Sequence, residues 1–252
     1  MLIKNINNFI SFKVIPLLTG EIKAPQVYIT NMAYLNYKQL YTSILRAKPY
    51  ISGVCADIGS GNSIYKKFIL QSADKYIAVD KSDIHKHMFQ TSKESFINAD
   101  IKDLPFESNS IDTIILTQVL EHIDNPYETL SEISRVLKKD ATLILSAPFI
   151  YQAHATPYDY FRFSEYGLKK LLKAYHYEIL EFHYQGYFGT AIMSITNGFI
   201  WTLASRYKTL RNTLVLPLLL ILFTLNNLIG LCLDVIKLKE FTPNFFVIAK
   251  KL

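Results

Sequence analysis

The chain has 252 residues, half of them apolar and 19% charged, a balance that fits one packed core with an insertion and excludes a disordered chain. Lys and Arg number 27 against 21 Asp and Glu, a formal charge of +6 that suits an anionic ligand or surface. No dense Lys/Arg run or zinc-finger spacing accompanies that charge, so neither a nucleic-acid partner nor a metal site is expected.

Cys55 and Cys232 lie far apart in apolar runs, which reads as reduced core thiols in a cytoplasmic protein rather than a disulfide framework. At the start, Lys4, Asn5, Asn7, Asn8 and Lys13 interrupt any apolar leader, so export is not expected.

Residues 35–48 place Leu35, Leu40, Tyr41, Ile44 and Leu45 near one helical face and predict a lead-in helix. Short apolar runs then alternate with helical stretches. Strands are predicted at 53–59, 75–80, 95–100, 111–118 and 141–148, with a helix over 126–139. A helix over 164–175, a strand over 177–184 and a closing strand over 244–252 complete the pattern. Strands alternating with helices imply right-handed crossovers and a mostly parallel sheet with helices on both faces, an α/β domain.

The segment VCADIGSGNS, residues 54–63, carries the most chemistry. A strand holding Asp57 runs into Gly59 and Gly61, a tight turn where backbone can approach a ligand closely. Asp80 ends the next strand, 19 residues after Gly61, where a carboxylate can accept both hydroxyls of a ribose. A nicotinamide dinucleotide site would place a third glycine at position 64, which is Ile64, and Asp57 would repel a pyrophosphate. Both features favour a cationic ligand without phosphates.

ADIGSG with Asp80, NADIKDLPFESNSIDTIILTQVLEHIDNP (98–126) and EISRVLKKDATLILSAPF (132–149) together resemble the class I S-adenosylmethionine-dependent methyltransferases, in particular their small single-domain bacterial branch. The resemblance covers about residues 50–184 and the last strand. It implies a Rossmann-like, seven-stranded, mostly parallel sheet with an antiparallel last strand, and S-adenosyl-L-methionine as cofactor. It further implies that Asp57, Gly59, Ser60 and Gly61 cradle the methionine and ribose, that Asp80 binds the ribose and that Asp100 and Ile101 receive the adenine. Thr117 and Gln118 then line the pocket beside the methyl-bearing sulfur.

The segment 148–164, PFIYQAHATPYDYFRFS, follows the fifth predicted strand and also resembles that branch. His154 is expected to act as a base or a hydrogen-bond partner of the substrate, Asp159 to orient it or bind substrate, and Arg162 to fix an acidic group. A structural Asp159–Arg162 pair holding the loop is the competing expectation. Glu121 and His122 are expected in the first turn of a helix, in packing or capping roles.

Three regions follow: an N-terminal segment with its lead-in helix (1–49), the cofactor-binding domain (50–184 with 241–252) and an apolar helical insert (185–240) before the last strand. Within the insert, LVLPLLLILFTLNNLIGLCL (214–233) has no charge and is long enough to span a bilayer. In the resembled family the flanking strands share one sheet, so an odd number of crossings is excluded. Two crossings would put Arg206, Lys208 and Arg211 on the far side, against the positive-inside tendency. Asn226, Gly230 and Asp234 add a polar stripe at i, i+4 and i+8.

The insert is therefore expected to meet the membrane surface peripherally, at its inner face, or to pack on the sheet or on a second copy as a homodimer. The expected function is methyl transfer to a hydroxyl of a glycan, a lipid-linked intermediate or another small molecule. A quinone or lipid C-methyltransferase and a non-catalytic interaction module are the alternatives.

Overall fold

The computed structural model describes residues 27–82, 89, 91–207 and 215–252. The amino-terminal reading above, and Lys208 and Arg211, lie outside the described residues. The chain divides into two compact units. One comprises Thr42–Phe149, Ala153–His183 and Asn244–Leu252; the other comprises the described residues up to Tyr41, Ile150–Gln152 and Tyr184–Pro243.

The first unit is built on a seven-stranded sheet: β1 (Val54–Ile58), β2 (Lys75–Asp80), β3 (Glu94–Asn98), β4 (Ile111–Thr117), β5 (Leu137–Pro148), β6 (Tyr177–Tyr184) and β7 (Asn244–Lys251). Its order is β3-β2-β1-β4-β5-β7-β6. The pairings β3-β2, β2-β1, β1-β4 and β4-β5 are parallel, and β7 runs antiparallel to β5. This is the expected Rossmann-like arrangement, with the last strand inserted beside the strand that precedes the insert. Strand order reverses between β1 and β4, which makes the carboxyl ends of those strands the natural place for a ligand.

The helices around this sheet are α2 (Lys66–Ile69), α3 (Pro126–Val136) and α4 (Glu165–Ala174), and α1 (Tyr34–Arg46) runs across the division between the units. Because crossover helices cover the sheet, β2, β4 and β5 read as nearly continuous buried runs rather than alternating ones. Asn125 caps α3 by accepting the Glu128 N–H at 3.2 Å, Pro126 fits the first turn, and Leu130, Ile133 and Val136 face the core. Ser164 caps α4 in the same way on Gly167.

Two local expectations need correction. The helix expected over 126–139 stops at Val136, because Leu137 is already extended and pairs with Ile111 while Asp140 takes a positive φ of 62° in an irregular start to β5. Cys55 is buried, as a core thiol should be, but Cys232 is exposed.

The second unit holds α5 (Phe188–Ser205) and α6 (Leu216–Leu233), packed antiparallel. A Cβ on Gly189 would stand 2.1 Å from the Gly230 carbonyl oxygen, so the two backbones touch where only glycine fits. The polar stripe foreseen on α6 faces inward. Asn226 Nδ2 donates to Asn197 Oδ1 at 2.8 Å, Asn197 Nδ2 donates to Asn227 Oδ1 at 3.2 Å, and Asn227 Nδ2 donates to the Ile29 and Asn31 carbonyls. Asp234, just past α6, accepts the Tyr187 and Thr190 N–H groups at 3.2 and 2.9 Å and so caps the start of α5.

With its polar residues inside, α6 turns Leu218, Ile221, Leu222, Leu225, Leu228 and Ile229 to the exterior. Among the described residues one helix, Leu216–Ile236, is long and apolar enough to cross a membrane. Since β6 and β7 lie in one sheet, a single crossing there would leave the chain on the wrong side of the bilayer.

Candidate functional site

At the carboxyl ends of β1, β2 and β4 an open cavity of about 510 Å³ is lined by Ile58, Gly59, Val79, Asp80, Ile101 and Val119, together with His122, Ile123 and Tyr158. Apolar walls with a few polar groups suit a cofactor bearing a flat aromatic ring and a polar ribose.

The glycine turn is fixed from both sides. Gly59 and Ser60 donate their N–H groups to the Val79 carbonyl, and Gly61 N–H donates to Asp80 Oδ2 at 3.0 Å. Gly59 has φ +69°, and a Cβ there would lie 2.5 Å from Val119 Cγ2. A Cβ on Gly61 would meet nothing within 4 Å among the described residues. Ser60 Oγ is buried and has no hydrogen-bond partner among the described residues. The second oxygen of Asp80 accepts the Ser82 N–H at 3.0 Å, which orients the carboxylate at the cavity wall.

Asp57 is placed behind the turn. It is buried and accepts Tyr76 Oη at 2.6 Å; burial pushes its carboxyl pKa up to about 7 despite that hydrogen bond, and the charge of Asp80 adds to the rise. Asp100 holds the Lys102 N–H at 3.0 Å and Lys81 Nζ at 3.0 Å, and its carboxyl is lowered mainly by the Lys102 N–H. Ile101 is buried and lines the cavity. Thr117 pairs with Ser146 across β4 and β5; Gln118, at φ 55°, directs Nε2 to Ser146 Oγ at 3.0 Å. Asp80 and Ile101 thus meet at one cavity with Gly59, whereas Asp57 and Gln118 bond to neighbouring strands.

Glu121 and His122 lie in a 3-10 turn, Leu120–His122, and not in the first turn of a helix; α3 begins only at Pro126. The loop after β5 docks on this turn through the Tyr160 and Phe161 N–H groups, which donate to the Glu121 carbonyl at 2.9 and 3.2 Å. The docking brings His154 to Glu121: His154 Nε2 and His122 Nε2 each lie 3.8 Å from Glu121 Oε1. The two imidazole rings meet edge to face, 4.8 Å between centroids.

Glu121 is fully buried, and among the described residues neither carboxyl oxygen has a hydrogen-bond partner. Burial pushes its pKa up to about 7, partly opposed by its own backbone N–H and by the Arg162 charge. His122 Nδ1 stands 2.7 Å from the Tyr158 carbonyl, an acceptor, so Nδ1 carries the hydrogen and Nε2 is the lone-pair nitrogen. Arg162 grips Asp159 with two bonds of 2.7 Å, and Asp159 Oδ2 also accepts the His154 N–H at 2.8 Å. The guanidinium holds the Asp159 carboxyl well below the usual carboxylate range. Asp159 and Arg162 therefore brace the loop that carries His154. Sequence reasoning gave Glu121 no chemical part, and the only signal for one was its place beside His122 at the end of β4.

Comparison with known proteins agrees with this geometry. Residues 56–145 match the family model described as "Methyltransferase domain". An uncharacterized methyltransferase of Mycobacterium leprae is 24% identical over 102 residues, 39% of this chain and 38% of that protein. The chain spans well under half the length of the curated relatives it matches. Among solved structures, the [4+2]-cyclase SpnF superposes with a TM-score of 0.57 at 18% identity, covering 83% of this chain and 79% of that one. A Burkholderia thailandensis 1,6-didemethyltoxoflavin-N1-methyltransferase, solved with 1,6-didemethyltoxoflavin and S-adenosylhomocysteine, superposes with a TM-score of 0.54 at 15% identity, covering 86% and 78%. At such identities the structural likeness speaks for the fold, while the family match names the domain. Residues 56–145 thus match a methyltransferase-domain model, and the sheet that frames them has the fold of solved S-adenosylmethionine-dependent methyltransferases.

Proposed function

We propose that the chain transfers a methyl group from S-adenosylmethionine to a hydroxyl of a lipid-linked, glycan or other small acceptor. The observation that carries this reading is the shared cavity: His122 and Tyr158, from the acceptor-side turn and loop, line the same space as Gly59, Asp80 and Ile101.

The residues present fit the cofactor. Asp80 would hold the ribose, Ile101 and the apolar wall the adenine, and the Gly59–Gly61 turn the methionine end, where Asp57 and Asp80 favour a cation over a phosphate. When bound, the cofactor supplies an activated methyl on a cationic sulfur. The chain's own task is alignment, exclusion of water and handling of the acceptor proton. The acceptor meets the cluster of Glu121, His122 and His154, with Asp159 and Arg162 positioning its loop.

The exposed face of α6 favours an acceptor carried on a lipid, with the chain working peripherally at the cytoplasmic face of a membrane. An apolar surface of that extent, free of charge over Leu216–Leu233, suits acyl chains. The architecture by itself does not name the reaction, since the cyclase above shares it.

Incubation of the chain and a membrane extract with cofactor labelled in the methyl group tests the proposal. Label is expected in the solvent-extractable lipid fraction and, at limiting cofactor, should fall at least tenfold with Asp80→Asn. Absence of any transferred label, or transfer indifferent to Asp80→Asn, contradicts it.

A further inference from the structure

We propose that Glu121, His122 and His154 bind one divalent transition-metal ion of the zinc class, with at least one coordination position left for the acceptor. Each of the three residues offers one ligand atom, and these atoms all lie within 4.8 Å of one another. Donors bound at about 2.0–2.1 Å to one ion stand up to about 4 Å apart, so the two 3.8 Å separations from Glu121 Oε1 already fall in that range.

The buried carboxylate is the independent observation. A fully enclosed carboxyl whose two oxygens find no hydrogen bond among the described residues is costly and rare, and an ion is one of the few things that explains it. Arg162, the nearby cation, is already bound on both terminal nitrogens to Asp159.

The surroundings match what a ligand shell requires. His122 gives its Nδ1 hydrogen to the Tyr158 carbonyl, which leaves Nε2 as the lone-pair nitrogen facing Glu121. His154 Nδ1 lies 3.4 Å from Arg162 Nη2, which can only donate to it, and 3.5 Å from Asp159 Oδ2; ligation through Nε2 therefore requires the other tautomer, with the Nδ1–H turned to Asp159. Two imidazoles and one carboxylate select zinc, or cobalt as its probe, over magnesium, which prefers oxygen ligands and keeps its water.

Three protein ligands leave room for an oxygen, as in catalytic rather than structural zinc sites. The role rests on the methyltransferase reading, although the binding does not. A hydroxyl taken at the open position loses its proton to solvent. Its oxygen then forms the new O–C bond as the S–C bond of the sulfonium breaks, leaving a neutral thioether.

The test uses the full chain without an affinity tag, stripped with chelator and passed with Zn(II) through gel filtration, with metal measured by mass spectrometry. One equivalent is expected in the wild type, with at least a tenfold weaker Kd in His122→Gln, His154→Gln and Glu121→Gln. Co(II) bound to the wild type should give visible bands of a four- or five-coordinate N/O site, a readout that needs no variant to fold. No stoichiometric metal in the wild type, or equal retention in the His122→Gln/His154→Gln double variant, overturns the site. Calorimetry with S-adenosylhomocysteine on the same samples separates the two readings. Zn(II) binding without the nucleoside supports the ion and overturns the cofactor reading; the nucleoside without Zn(II) does the reverse.

Discussion

Glu121 and His154 are 33 positions apart in the chain, yet Oε1 of one lies 3.8 Å from Nε2 of the other. The contact joins the end of β4 to the loop after β5, and it depends on two backbone hydrogen bonds from Tyr160 and Phe161 to the Glu121 carbonyl.

That contact separates the acceptor side from the cofactor side, because His154 is absent from the turn around Gly59 and Asp80. His154→Ala is expected to lower methyl transfer on the order of 10²-fold while leaving S-adenosylhomocysteine affinity within about twofold. Labelled-methyl turnover measured beside calorimetry checks this. Equal losses in both quantities would mean that His154 serves the fold or the cofactor instead.

Gly59→Ala should be damaging beyond its size. The new Cβ enters a left-handed backbone position and lies 2.5 Å from Val119 Cγ2, so strain of about 1–3 kcal/mol is expected. Thermal unfolding should reveal the loss together with weakened nucleoside binding. Val119→Ala in the same chain should recover part of the stability, since it removes the clash but not the φ penalty. No recovery would contradict the contact.

The pH dependence of stability follows from Asp57. Its carboxyl is raised from 3.8 in the unfolded chain to about 7 in the fold, so between these values the folded state holds the extra proton. Stability from this group is full below about pH 4 and is lost as pH rises to about 7, a change on the order of 4 kcal/mol. Glu121, also raised to about 7, acts in the same direction. Asp159, held low by Arg162, acts oppositely: its contribution is present above about pH 4 and falls away in acid. Urea midpoints of the metal-free, cofactor-free chain should therefore be higher at pH 5 than at pH 8, with the slope reduced but not abolished in Asp57→Asn. A flat profile between pH 5 and 8 would show that Asp57 ionises normally.

Much of the fold is written in local pattern. Strands β1, β2, β4 and the inner part of β5 are mostly apolar runs bounded by turn residues, broken by Asp57 in β1 and by Asp112 and Thr113 in β4, and the pairing of Gly59 with Asp80 is a matter of spacing along one β-α-β unit. The acceptor-side cluster has no such spacing. Glu121 and His154 meet through loop docking that no periodicity encodes, so the pair read as separate residues. The end of α3 illustrates the same limit, because Leu137, Lys138 and Lys139 suit a helix until Leu137 finds Ile111 across β4. The stripe of Asn226, Gly230 and Asp234, with Asn227 beside it, was legible as a polar face, but the partners come from distant segments: Asn197 for Asn226, the Asn31 carbonyl for Asn227 and the start of α5 for Asp234.

The central claim is that the turn at Gly59 and the carboxylate of Asp80 hold S-adenosylmethionine, and calorimetric titration with S-adenosylhomocysteine tests it most directly. The account predicts one equivalent bound by the wild-type chain and a loss of about 10- to 100-fold in affinity for Asp80→Asn, the scale of a removed charge-assisted hydrogen bond. A wild-type chain that takes up no S-adenosylhomocysteine would contradict it.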